Sequence, residues 1–335
     1  MKKTLYLVLA GALMLSTVSC GQQGTTNSNE GNVVDTEQKT EDTNTNVEAD
    51  KYDSLYDAFL NGEATLSTDY YLNNASETGS GYENDFFSII AGDELTLPEI
   101  VETLNEAFMD DEGFFAHQEI SSISYSYLDC GNDGEKELAV KFVCPVVEPD
   151  SNIVLVIKEM DSKLQVVYSV CSWSRSETTI NEYGFIQGGG SGGAVNHSSD
   201  AALIDADGKY QFGYILTESA DIEDFGYAYE HEDFDASSLE GTLCIYELRL
   251  TFEPGADKPS DYFSYAVYDS DTYEEIDVPN LYTDSPYKEV LDSFTTIKFV
   301  PYDELEKAIS DKLDSIGATE DVRNANELEF TEIAL

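Results

Sequence analysis

The residues best suited to chemistry form one short run, Asp129-Cys130-Gly131-Asn132-Asp133-Gly134-Glu135-Lys136-Glu137-Leu138. Acids spaced closely along a loop can wrap several oxygens round one hard cation, and calcium takes six to eight of them. Asp129 and Asp133 would ligate by side chain, Glu135 by its backbone carbonyl, and Glu137 directly or through water. Gly134 permits the sharp turn that such wrapping needs. Two ligands are missing: Gly131 stands where an Asp or Asn would help, and Val140 stands where a bidentate Glu would close the site. The same residues also suit a plain hairpin turn, because Asn-Asp-Gly has the right backbone preferences. At a second stretch, Asp205-Ala206-Asp207-Gly208, the hairpin is the stronger reading, since Asp207-Gly208 joins two expected strands.

The run from Asp129 to Leu138 resembles the D-x-[DN]-x-D-G-x-x-E-L loop of calcium-binding repeats and of many bacterial surface proteins. That resemblance implies a calcium ion as the cofactor, held at Asp129, Asp133, Glu135 and Glu137.

A second concentration of useful side chains spans 171–197. It holds Trp173, which is the only tryptophan, together with Arg175, His197 and the glycine run Gly188 to Gly193. An indole offers a flat apolar face to a sugar or ring, and a guanidinium offers a planar fork to a carboxylate. Glycines would let a ligand approach the backbone. The structural alternative makes Trp173 a core anchor, Arg175 the partner of a nearby acid, and the glycine run a mobile loop.

Familiar catalytic arrangements do not appear. His117, His197 and His231 are scattered, with no H-E-x-x-H and no C-x-x-C. Gly190-Ser191-Gly192 falls short of a nucleophile elbow, and the glycine run lacks the Lys-Ser/Thr of a phosphate loop. Paired carboxylates carry no weight here, because 67 acids produce such pairs by chance.

The elements that must position these residues can be read from periodicity. Residues 52–61 place Leu55, Phe59 and Leu60 on one helical face, and Gly62 stops the helix. A helix over 97–109 starts from the capping pair Thr96 and Glu99 and carries Ile100, Leu104, Ala107 and Phe108 as its stripe. Helices over 286–294 and 302–316 follow Ser285-Pro286 and Pro301, and Gly317 closes the second. Between them the period is two. Ile123, Tyr125 and Tyr127 alternate with serine, and Leu138, Val140, Phe142 and Cys144 alternate in turn. Ile153 to Ile157 is continuously apolar, as in a strand buried on both faces, and Leu164, Val166, Tyr168 and Val170 alternate again. This predicts a four-strand antiparallel meander over about 121–171, with further strands at 178–187, 200–206, 209–217, 242–253, 262–269 and 296–300. The fold class is α+β: a mainly antiparallel sheet with a few flanking helices near the ends of the body. The body is expected over 51–335, mainly helical or irregular to 118 and sheet-rich beyond.

Composition sets outer bounds. Seventeen basic residues against 67 acidic ones give a net charge of −50. So negative a balance opposes the neutralisation of phosphates by Lys and Arg, which argues against nucleic-acid partners. With 41% hydrophobic and 12% aromatic residues it affords a packed core. Cys130, Cys144, Cys171 and Cys244 would allow two disulfides in three connectivities. The meander places Cys144 and Cys171 on either side of one strand, about twice the 4.8 Å strand spacing apart and beyond disulfide reach. Free, buried thiols are the other reading.

The chain opens with Lys2 and Lys3, an apolar stretch from Leu5 to Leu15 too short to span a bilayer, and then Thr17-Val18-Ser19-Cys20. This segment resembles the signal peptide and lipobox of bacterial lipoproteins, with Thr17 where leucine is usual. The resemblance implies cleavage after residue 19, a lipid such as palmitate on Cys20, and residence on the outer face of the cell membrane. Residues 21–50 are dominated by Thr, Asn, Gln, Glu and Gly, a composition that reads as a disordered tether with a mean span of roughly 30 Å. Tyr127 to Phe142, with Ser172-Trp173-Ser174-Arg175 and the glycine run, is similar to surface lipoproteins of anaerobic Gram-positive gut bacteria. That likeness implies a location and no activity. The expected role is a lipid-anchored binding or interaction module with an extracellular ligand or protein partner; the alternative is an extracytoplasmic hydrolase acting on glycans or peptides.

Overall fold

The computed structural model describes residues 53–74, 90, 92, 94–110, 117–220, 222–252 and 260–333. The expected signal segment and tether, with Cys20, lie outside the described residues. The body gathers into one unit from Asp50 to Leu335.

Helix α1 (Leu55–Leu60) begins at Ser54, whose hydroxyl accepts the Asp57 N–H at 3.1 Å. Strand β1 (Thr65–Ser67), helix α2 (Asp69–Asn74) and strand β2 (Glu94–Thr96) follow. Helix α3 (Leu97–Asp110) carries the expected box, with the Glu99 carboxylate accepting the Thr96 N–H at 2.8 Å and its hydroxyl at 2.7 Å. These bonds hold the Glu99 carboxyl below its usual range.

The meander forms as the alternation predicts. It consists of β3 (Ser122–Leu128), β4 (Glu137–Val143), β5 (Asn152–Met160) and β6 (Lys163–Ser172), all antiparallel. β1 joins β6 in a parallel pair, giving a seven-stranded first sheet with a late strand, β13 (Thr331–Ile333), at its other edge. The second sheet has six antiparallel strands in consecutive order: β7 (Ser176–Ile180), β8 (Phe185–Ser191), β9 (Asn196–Ile204), β10 (Tyr210–Ser219), β11 (Thr242–Arg249) and β12 (Tyr262–Tyr268). Helix α4 (Ile222–Ala228) lies between β10 and β11. Helices α5 (Pro286–Leu291), α6 (Tyr302–Ser315) and α7 (Glu320–Arg323) follow β12. The α+β, mainly antiparallel architecture is therefore the one the sequence implies.

Period-two burial explains the layering. On one face of the first sheet, Leu138, Val140 and Phe142 pack under Phe59 of α1 and Ile100 and Leu104 of α3. On the opposite face, Ala139, Val154, Val156 and Val167 pack against Ile180, Ile186, Ala202 and Ile204 of the second sheet. The far side of the second sheet is covered by Leu313 of α6 and Val322 of α7. β5 is thus buried on both faces, as its unbroken apolar run predicts. Removing each such side chain to alanine costs about 2–5 kcal/mol.

Four local expectations are corrected. The strand expected over 178–187 is two strands, because Asn181–Gly184 forms a turn in which the Asn181 side-chain oxygen accepts the Tyr183 and Phe185 N–H groups at 2.9 and 3.0 Å. The glycine run is loop only at its end: Gly188, Gly189 and Gly190 lie in β8, between β7 and β9, and Gly192 and Gly193 fall in the β8–β9 connection. Residues 296–300 form no strand; only Phe299 makes a bridge, to Phe263. The helix expected over 286–294 ends at Leu291, and Ser285 caps it as anticipated.

Candidate functional site

The chain passes from the first sheet to the second through one tight turn. Trp173 and Ser176 exchange backbone hydrogen bonds at 3.0 and 2.9 Å, leaving only Ser174 and Arg175 between them. The C-terminal segment makes the return crossing. Its Leu328 N–H bonds the Ile180 carbonyl at the edge of β7, Glu327 bridges Asn181, and Thr331–Ile333 then pairs with β3. This segment straps the edges of both sheets together.

A cleft of about 440 Å³ lies where the turn and the strap meet. That is within the size range of small-molecule sites, about 300–1,000 Å³. Half-buried Trp173 forms one wall, and Phe330 of the strap forms another. The Lys141 ammonium stands 4.8 Å from the centre of the Phe330 ring, an attractive cation–ring contact. Four carboxylates, Glu148, Asp150, Glu177 and Glu327, complete the charged lining. Glu148 is partly committed to shaping the turn, since its carboxylate accepts the Ser174 N–H and, at 2.9 Å, the Ser174 hydroxyl. Thr178 sits in edge strand β7, with its N–H bonded to the Ser172 hydroxyl at 3.2 Å.

Arg175 and His197 are not part of this lining. The Arg175 guanidinium donates to the Ser191 carbonyl at 2.9 Å, and His197 pairs with Ser191 in the β8–β9 register. Of the three residues singled out in 171–197, the structure therefore brings only Trp173 to the cleft. The glycine run has a packing cause. A side chain at Gly188 would place its Cβ 2.5 Å from a carboxylate oxygen of Asp200, whose pKa burial pushes up.

The Asp129 loop serves as a joint between the sheets. The Asp129 N–H bonds the Glu182 carbonyl at 2.8 Å, and the Gly131 N–H bonds the Tyr183 carbonyl at 3.1 Å. Gly131 has φ +75° and lies so close to the second acidic turn that a Cβ there would meet the Ala206 nitrogen at 2.5 Å. Asp129 accepts the N–H groups of Asp133 and Gly134, and Asp133 accepts that of Glu135. Glu137 points inward with 1% of its side chain exposed. It pairs with the Lys158 ammonium and accepts the Cys130 N–H at 2.7 Å. Burial disfavours the charge on Lys158, but the bond and attraction to Glu137 prevail and raise its pKa. Of the four expected calcium ligands, Glu137 is thus turned into the fold, while Asp129 and Asp133 bond backbone N–H groups of their own loop. Among the described residues, no group of three or more His, Cys, Asp or Glu side chains is placed to hold a metal ion. Asp205 likewise closes its own turn, accepting the Asp207 and Lys209 N–H groups.

Cys130, Cys144 and Cys244 are buried and form no disulfide. Cys171 lies opposite Ile153, and the Cys144 N–H bonds Ser151, so β5 separates the pair as the meander requires.

Family models, curated proteins and solved structures were compared with this chain, and none matches. The chemistry of the cleft therefore rests on its own residues. Sequence reasoning missed Lys141, Phe330 and the four carboxylates. Lys141 was one polar position in an alternating strand, and Phe330 one apolar residue near the terminus. Nothing in their spacing signals that three separate segments meet.

Proposed function

We propose that this chain is a membrane-anchored extracytoplasmic binding module, held on the outer face of the cell membrane by lipid on Cys20. The cleft beside Trp173 is its ligand site. The observation that carries this reading is the position of the only tryptophan: half-buried, in a cleft whose other walls supply an aromatic ring, an ammonium and carboxylates. Such a mixture of one apolar platform and several polar groups fixes the orientation of a ligand. The run from Lys2 to Cys20 supports the anchor, and the net charge of −50 argues against a nucleic-acid ligand.

Two measurements test it. Palmitate labelling of cells expressing the chain should mark the protein, and Cys20→Ala should abolish the label and release the protein from membranes. A label that survives Cys20→Ala refutes the anchor. Ligand binding should change the fluorescence of Trp173, which has no other indole to mask it. Calcium stabilisation, one of the two readings of the Asp129 loop, would draw on Asp129, Asp133 and the Glu135 carbonyl, since both Glu137 oxygens are engaged within the fold. Melting curves with calcium, magnesium and chelator decide it. A rise with calcium alone, lost in Asp133→Ala, assigns the ion to the loop, and equal shifts with both ions leave it a turn.

A further inference from the structure

Resting on the reading of the cleft as a ligand site, we propose that its ligand is a neutral glycan segment. The sugar would stack on Trp173, with its hydroxyls bonded to Lys141 and to the cleft carboxylates.

Charge removes one class of ligand. Against the single Lys141 the lining sets Glu148, Asp150, Glu177 and Glu327. A phosphate, sulfate or uronate would meet net repulsion in a half-enclosed space where water screens it poorly. A cationic ligand would be drawn by those same four carboxylates, so it is the competing occupant that the trilysine probe tests. An ammonium or guanidinium uses the face of an aromatic ring. The Phe330 ring already has the Lys141 ammonium 4.8 Å from its centre, which leaves the Trp173 ring as the platform for which a sugar and a cation compete.

A neutral polyol satisfies both kinds of group at once. Each hydroxyl donates one hydrogen bond and accepts others. Neighbouring hydroxyls can therefore donate to carboxylate oxygens while accepting from Lys141, which has donors only. The C–H face of a sugar ring then covers the apolar face of Trp173. A neutral peptide would instead need a free strand edge, and the edge of β7 is largely taken. Ser176 is bonded to Trp173, and the Ile180 carbonyl to Leu328.

The test uses the full chain in detergent micelles, displayed first on an array of neutral oligosaccharides. Each hit is then titrated by calorimetry beside a trigalacturonate and a trilysine probe. We expect binding to at least one neutral glycan and none to either charged probe at the same concentration. Trp173→Ala should weaken that binding by about tenfold or more. Glu177→Gln, at an exposed position, should weaken it severalfold with an unchanged melting temperature. A silent neutral array overturns the glycan assignment. Binding of trilysine or trigalacturonate alone, abolished by Trp173→Ala, overturns the glycan assignment while the cleft stands as a ligand site. Glycan binding that neither substitution affects overturns the cleft itself.

Discussion

Replacing Lys158 with methionine should destabilise the fold far more than its partly exposed position suggests. Lys158 keeps 17% of its side chain exposed, but its partner Glu137 keeps only 1%. Glu137 is fixed in place by the Cys130 N–H at 2.7 Å and cannot swing out to water. Lys158→Met therefore leaves a carboxylate buried without a countercharge, a loss worth about 3–5 kcal/mol. Glu137→Gln should cost less, about 1–2 kcal/mol, because the amide oxygen still accepts the Cys130 N–H and the freed ammonium can reach solvent. In the double variant no charge is stranded, so the two costs should not add, and a coupling of about 2–3 kcal/mol is expected. Urea unfolding followed by far-UV circular dichroism measures the two single variants and the double one. Additive costs in the double variant would refute the reasoning.

Other consequences follow from packing and titration. Gly188→Ala should cost about 1–3 kcal/mol by forcing its Cβ against Asp200, and Asp200→Ala in the same background should recover most of that loss. Ellman's reagent should react slowly with Cys130, Cys144 and Cys244 in the folded body, because all three are buried and burial pushes their thiols up, Cys144 to about 12. In denaturant all three should react without added reductant, and any that needs reduction first contradicts the free-thiol assignment. Alkaline pH should weaken the fold: burial lifts the phenols of Tyr56 and Tyr302 to about 12, against about 10 in the unfolded chain. Their contribution is whole below about pH 10 and declines as pH rises toward the folded values, so a stability profile flat through that window would contradict their burial. Asn181→Ala should cost about 2–4 kcal/mol in a urea melt, since it strands the Val322 carbonyl and two turn N–H groups.

The cleft and the ion pair share an origin that explains why neither could be read in advance. Glu137 reads as a calcium ligand in sequence because its neighbours are acidic and its spacing suits a loop. It turns inward because strand β4 begins there, and period two assigns position 137 to the same face as Ala139, which packs on the second sheet. Gly188 reads as part of a flexible loop because six residues in a row lack bulk. It is a strand residue because β7 and β9 flank it and the Asp200 carboxylate needs the space. Trp173 is the exception, visible in sequence by its rarity and placed by the fold in the wall of the cleft.

Local chemistry alone determined the meander, the Thr96–Glu99 box, the Ser285 cap, the doubly buried run of β5 and the separation of Cys144 from Cys171. Each depends on neighbours within a turn or on the strict period of two, and such information is written in adjacent residues. Only the tertiary structure decided that there are two sheets rather than one, that the Asp129 loop clasps the second against the first, and that Lys141, Glu177 and Phe330 meet Trp173. Those outcomes depend on how two apolar faces stack and where a late segment returns, and residues 141, 177 and 330 carry no periodicity in common.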